Sequence, residues 1–398
     1  MDRTKNLFVQ GGSTKVLILA NGTGGGHMAA AYALQEAFEA RGHEATVLDP
    51  FSLLGEVRGK LKSGFVNNLY IRSVQFVPHL FGFVYSLGAM YWRLFRNVPQ
   101  VKSPVYYSNR SVWKPLETLF QKEQYDAVLT THLYPGEIMA GMRAHGYEVP
   151  PTFWISTDYD CIPFTEEAAC DHYVIAHPEL VPDYTHWHIP EERLHPLGIP
   201  VRAKFAEPMT REQAKHDLGL DRDKHYFLIS GGSVGSGKLV EAVTLLATHY
   251  RDREDVEFIA ICGKNEWIYR QMKKLFSRKV HMLRYTDRMA EYMRACDAVI
   301  TKPGGLSSTE AAVTGTALIF ISPIPGGPET ANIRFFERHR MAIYAETVAL
   351  ELTNLVQELL SQPAEVEQMT RRQQETVNAD AAGDIVSLVE NCRAAKRT

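Results

Sequence analysis

Short apolar runs recur along the chain, most of them followed by a glycine or hydroxyl loop and then by a stretch whose apolar positions keep helical spacing. They are Val16–Ala20, Ala45–Asp49, Ala127–Thr131, Thr152–Ser156, His172–Ala176, Tyr226–Ser230, Val256–Ile261, Val280–Leu283, Ala298–Ile300 and Ala317–Ile321. Helices are predicted from Met28 to Ala40, closed by Gly42, from about Gly136 to His145, and from about Leu239. Strand, loop, helix and strand in this order predict an α/β chain of two doubly wound, Rossmann-like halves, each opening with a glycine loop and facing the other across a cleft. The segment Leu197–Val201 reads as the linker between them. We therefore expect an N-terminal domain over 1–199, a C-terminal domain over 200–363, and a polar C-terminal helix over 364–398 that crosses back onto the first half.

One region breaks the pattern. From Val57 to Lys114 there are basic residues and no acid, interleaved with aromatic side chains such as Phe65, Tyr70, Tyr91, Trp92 and Trp113. Ser73 to Trp92 is uncharged and matches the roughly 20 residues of a spanning helix. Pro78 and the scattered polar residues break it, and Arg72 and Arg93 flank it on both sides. A segment lying in the headgroup layer of an anionic membrane fits better, with buried helices on the sheet as the alternative.

Composition adds limits. The length of 398 residues favours more than one domain, while the net charge of −3, with 45% hydrophobic and 22% charged residues, gives no global sign of nucleic-acid binding. The five cysteines are scattered without a CxxC pair, which points to a reducing cytosol and away from a disulfide framework or a zinc site. Met1–Lys5 lacks a signal-peptide pattern.

The candidate chemistry lies in the loops. Asn21-Gly-Thr-Gly-Gly-Gly-His27 departs from a dinucleotide fingerprint because His27 stands where the third glycine would be; near an incoming phosphate or hydroxyl a histidine has a role there, against that of a solvated helix start. Asp158 follows the strand Thr152–Ser156, at the carboxyl end where ligands sit, with an Asx-turn as the plainer role. Gly232 to Lys238 spells GxxxxGK, but Leu239 replaces the Ser or Thr a P-loop needs for Mg²⁺. Thr301-Lys-Pro-Gly-Gly-Leu-Ser-Ser-Thr-Glu310 runs from a strand into a helix start, an arrangement that suits an anion as well as an ordinary capped turn. Histidines 172, 177, 186, 188 and 195 have no metal-site spacing and read as mostly structural.

Taken together, these motifs resemble the GT-B glycosyltransferases of family 28, the group of the monogalactosyldiacylglycerol synthases, the processive diacylglycerol glucosyltransferases and the peptidoglycan enzyme that adds N-acetylglucosamine to lipid I. The carriers are Gly22–His27, Ser156–Tyr159, Gly198–Arg202, Gly231–Ser233, Tyr285–Met289, Thr301–Glu310 and Pro325–Asn332. The resemblance implies a UDP-sugar bound by the C-terminal half and a diacylglycerol-type lipid acceptor bound by the N-terminal half, with no obligatory metal or other cofactor. By position, Tyr285, Thr286 and Met289 would line the uracil pocket, Gly305, Leu306 and Ser307 the phosphates, and Glu310 the ribose. Gly232 and Ser233 would close over the diphosphate, Glu329 and Asn332 would read the sugar, and Asp158 would be the base, with His27 contributing across the cleft. The implied protein is an inverting enzyme, cytoplasmic and peripheral on the inner face of the membrane, touching anionic lipid through residues about 57–114 and no nucleic acid. The alternatives are an NTP-dependent enzyme using the P-loop-like stretch, or N-acetylglucosaminyl transfer to a polyprenyl-linked acceptor.

Overall fold

The computed structural model describes residues 12–22, 25–55, 87, 90–91, 94, 102–103, 106, 109–231, 238–263, 265–276, 278–321 and 327–397. The first half contains β1 (Lys15–Leu19), α1 (Gly25–Ala40), β2 (Glu44–Leu48), α2 (Trp113–Glu123), β3 (Ala127–Thr130), α3 (Leu133–Ala144), β4 (Thr152–Ile155), β5 (His172–Val174), α4 (Val181–His186) and β6 (Leu194–His195). The second contains α5 (Arg211–Leu218), β7 (His225–Ser230), α6 (Lys238–His249), β8 (Val256–Ile261), α7 (Glu266–Phe276), β9 (Val280–Leu283), α8 (Met289–Ala295), β10 (Ala298–Thr301), α9 (Gly305–Thr314), β11 (Ala317–Ile321), α10 (Glu329–Arg338), β12 (Ile343–Ala345) and α11 (Val348–Ser361).

Each half is built on a six-stranded sheet, ordered β2-β1-β3-β4-β5-β6 in the first and β12-β11-β10-β7-β8-β9 in the second, and every strand pair is parallel. Parallel strands covered by helices on both faces need continuous apolar runs. Both β4 (TFWI) and β10 (AVIT) are buried at every position. Strand order reverses between β1 and β3 and between β7 and β10, so a crevice opens at the carboxyl ends of those pairs.

The tail differs from the single helix expected from its composition. It forms two helices, α12 (Pro363–Thr376) and α13 (Ala381–Arg397), and they serve different halves. Gln373 of α12 donates from Nε2 to the Thr316 and Met341 carbonyls of the second half at 3.2 and 2.8 Å. In α13, Ile385, Val386 and Val389 join the first-half core with Val16, Leu34 and Phe38, and Arg41 bonds Ser387 at 2.8 Å. Asn378, between the two helices, donates to the Leu197 carbonyl of the linker. The Asn378–Asp380 turn is where the chain changes partner.

Among the described residues, no helix is long and apolar enough to cross a membrane. Most of the 57–114 span, together with Gly232 and Ser233, lies outside the described residues.

Candidate active site

Two helix starts face each other. Helix α1 leaves β1 at one strand-order reversal, and α9 leaves β10 at the other, so their free N–H groups converge from opposite halves. A methyl group added to Gly26 of α1 would lie 3.7 Å from Leu306 Cβ of α9. One added to Gly305 would lie 2.1 Å from the Thr157 carbonyl oxygen and 2.8 Å from Asp158 Cα. Glycine at 305 is therefore what lets the end of β4 press against the start of α9.

Asp158 sits at this contact. The Gly305 N–H donates to its carboxylate, and Asn332 Nδ2 donates to its Oδ1 at 2.8 Å. Burial pushes its pKa up to about 6; the Asn332 bond opposes this, nearby Glu329 adds to it, and the Gly305 N–H and Lys302 oppose it. The anion that α9 attracts in this structure is thus a carboxylate of the opposite half. Next to it, burial and the charge of Asp158 raise Asp160 to about 6 as well.

His27 is a different kind of group. Its Nδ1 lies 2.7 Å from the Thr131 carbonyl and 3.1 Å from Thr157 Oγ1. A carbonyl can only accept, so Nδ1 carries the proton and Nε2 is left with the lone pair. Burial drives the pKa down to about 4, against the bond to Thr131, and the ring meets His132 edge-on at 4.5 Å between centroids. His27 is neutral at pH 7, and as a proton acceptor it is weaker than Asp158.

The other expected site residues fall into two groups. On α9 and the loop before α8, Leu306 is buried against the opposing helix, while Ser307 and Glu310 are partly buried. Burial raises Glu310 to about 8, with Lys204 and Arg202 pulling it back. Tyr285 stands 66% exposed, Thr286 Oγ1 caps the Arg288 N–H at 3.0 Å, and Met289 begins α8. Lys204, just past the linker, holds this loop by donating to the Asp287 carbonyl.

On α10, Glu329 and Asn332 are both buried and bonded within the protein. Glu329 is ion-paired with Lys302 at 2.5 Å. Asn332 is fully buried, donating from Nδ2 to Asp158 and to the Pro303 carbonyl at 2.9 Å while accepting the Tyr159 N–H at 2.7 Å. Both amide hydrogens are spent inside the protein. Tyr159, part of the Ser156–Tyr159 motif but without a role assigned from sequence, reaches Thr309 at 2.9 Å through its hydroxyl and stacks on Phe335 at 4.4 Å. Tyr159 directly follows Asp158, and an aromatic beside the candidate base was the signal available.

Known proteins match over both halves. Residues 226–385 match the glycosyltransferase family 28 C-terminal domain, and residues 27–201 match the monogalactosyldiacylglycerol (MGDG) synthase family. A processive diacylglycerol beta-glucosyltransferase of Bacillus licheniformis is 28% identical over 373 residues, which cover 89% of each chain. Among solved structures, MurG of Acinetobacter baumannii superposes with a TM-score of 0.60 at 16% identity, covering 95% of this chain and 99% of that one. A UDP-GlcNAc 2-epimerase of Neisseria meningitidis bound to UDP-GlcNAc gives 0.60 at 11% identity, covering 95% and 100%. These likenesses fix the fold, and the P-loop-like stretch at 232–238 falls inside the family 28 match.

Proposed function

Given that the chain is a glycosyltransferase of the GT-B fold with a family 28 C-terminal domain, we propose that it moves a hexose from a UDP-sugar to a diacylglycerol-type acceptor at a membrane surface, with inversion. The observation that carries the reading is Asp158, a carboxylate with its pKa raised to about 6, held at the end of β4 against the start of α9. A group so placed is ionised at pH 7 yet basic enough to take a hydroxyl proton. The acceptor oxygen, losing its proton to Asp158, attacks the anomeric carbon from the face opposite the diphosphate. The N–H groups of α9 take up the negative charge of the departing UDP, so no metal is required for that step.

Asp158 and a diphosphate would claim the same N–H groups. Donor entry therefore displaces the carboxylate from Gly305 and frees it for the acceptor. The relatives' names support the donor sugar as glucose and the acceptor as diacylglycerol, and a beta product from an alpha-linked donor requires single displacement. Contact with lipid is supported by Leu87, Met90 and Leu94, helical residues at the spacing of one face that are 42%, 53% and 65% exposed. A cytoplasmic protein on the inner face of the membrane is the setting this implies.

The test is Asp158→Asn, assayed by UDP release with UDP-glucose and diacylglycerol vesicles. Turnover within about tenfold of wild type would remove Asp158 as base. An alpha-linked product would remove inversion.

A further inference from the structure

His177, Glu179 and His339 stand apart from the transfer site, and their ligand atoms all lie within 4.8 Å of one another. Two come from the first half, where the chain leaves β5, and the third is the residue that ends α10 in the second half. Glu179 Oε2 is 2.7 Å from His339 Nε2 and 3.9 Å from His177 Nδ1. These separations straddle the roughly 3.3 Å between two ligands bound about 2.0 Å from a tetrahedral ion.

The surroundings orient all three. Phe335 packs on both imidazoles, with its centroid 5.2 Å from His177 and 4.7 Å from His339. Arg338 Nη1 donates to Glu179 Oε1 at 2.6 Å, fixing the carboxylate and leaving Oε2 turned toward the histidines. Each of the three residues is partly buried, sheltered but reachable from solvent. His177 Nδ1 also accepts the Glu179 N–H at 3.3 Å, a long bond. The turn is held independently by the Leu180 N–H to the His177 carbonyl at 3.1 Å.

We infer that these residues form a divalent cation site, of zinc type by its donors, that pins the end of β5 to the end of α10. Two imidazole nitrogens and one carboxylate oxygen are a ligand set suited to zinc, with water completing the tetrahedron. Because α10 also carries Asn332, an ion here would brace the helix that holds Asp158. The inference does not depend on the reaction proposed above, since a metal can bind here whatever the transferred group.

The experiment uses the full chain, stripped of metal by chelator, dialysed against zinc chloride and assayed for bound metal. A parallel titration with cobalt chloride is read by visible absorption. One ion per chain with intense tetrahedral bands is expected. Affinity should fall roughly 100-fold or more in His177→Ala and in His339→Ala. His339→Gln, which keeps a hydrogen bond to Glu179 but offers no imidazole, should lose the metal while the melting curve stays cooperative. His281→Ala is the control; that histidine pairs with Glu257 at 2.7 Å outside the cluster and should bind as wild type. No uptake by the wild-type chain, or uptake that survives both alanine variants, overturns the site.

Discussion

The starts of α1 and α9 occupy equivalent places in the two halves, yet they present opposite chemistry. At α1 the group nearest the helix start is His27, partly buried, neutral and bonded to the carbonyl of its own half. At α9 it is a carboxylate from the other half, received by the Gly305 N–H. The positive end of a helix disfavours imidazolium and favours an anion; the carboxylate at α9 agrees with that, while His27 is kept neutral by burial. The lesson is that a glycine loop opening a helix does not by itself make a phosphate site. What crosses the cleft to meet it decides.

The largest effect should come from removing the anion. Asp158→Asn is expected to lower turnover by about 10²–10⁴-fold, the range for a positioned general base. Wild-type turnover should fall as pH drops through about 6, where Asp158 gains its proton. The same profile taken on His27→Gln should keep that limb, because His27, with its pKa near 4, is already neutral there. A limb that vanished with the histidine instead would reverse the assignment.

Gly305→Ala comes next. The added methyl would meet two backbone positions, the Thr157 oxygen at 2.1 Å and Asp158 Cα at 2.8 Å, and neither can rotate away. The ends of β4 and α9 must part, which costs about 1–3 kcal/mol. The melting midpoint should fall, and turnover with it. An unchanged midpoint would mean that the two helix starts do not depend on this contact.

Glu310 tests the same helix a turn and a half further on. Its folded pKa is about 8 against an ordinary value of 4.5, so between these limits the folded chain holds a proton that the unfolded chain has released. Stability carried by that proton is lost as pH rises through the window. Glu310→Gln should therefore melt higher than wild type at pH 8 and alike at pH 4. Under the proposed function, Glu310→Ala should weaken UDP binding by roughly tenfold, the scale of one or two hydrogen bonds, and leave acceptor binding alone. Calorimetry with UDP and with lipid vesicles separates the two.

What could be read from the chain and what could not divides along the same line. Apolar runs such as Thr152–Ser156 and Ala298–Ile300, and the glycines after them, encode local structure, and they located both sheets and both helix starts. Strands β6 and β12 span only Leu194–His195 and Ile343–Ala345, too short to leave a period, and they exist because an established sheet accepts them at its edge. Asn332 shows the deeper limit. Its motif placed it near the donor, but it meets Asp158 and Tyr159 of the first half only once the two halves have docked. No local pattern reports such a contact.

The smallest effect should be at Gly26, the counterpart of Gly305, and it is the most direct check on the contrast. A methyl there would sit at ordinary van der Waals distance, 3.7 Å, from Leu306 Cβ. Position 26 lies in the first turn of α1, where alanine is a better helix former than glycine by up to about 1 kcal/mol. Gly26→Ala should therefore raise the melting midpoint slightly, the reverse of Gly305→Ala, and leave turnover within about twofold, because the proposed diphosphate rests on α9. If the midpoint rises while turnover collapses, fold and ligand make different demands on Gly26. The start of α1 would then also need bare backbone against the substrate, and the two helix ends would share the anion.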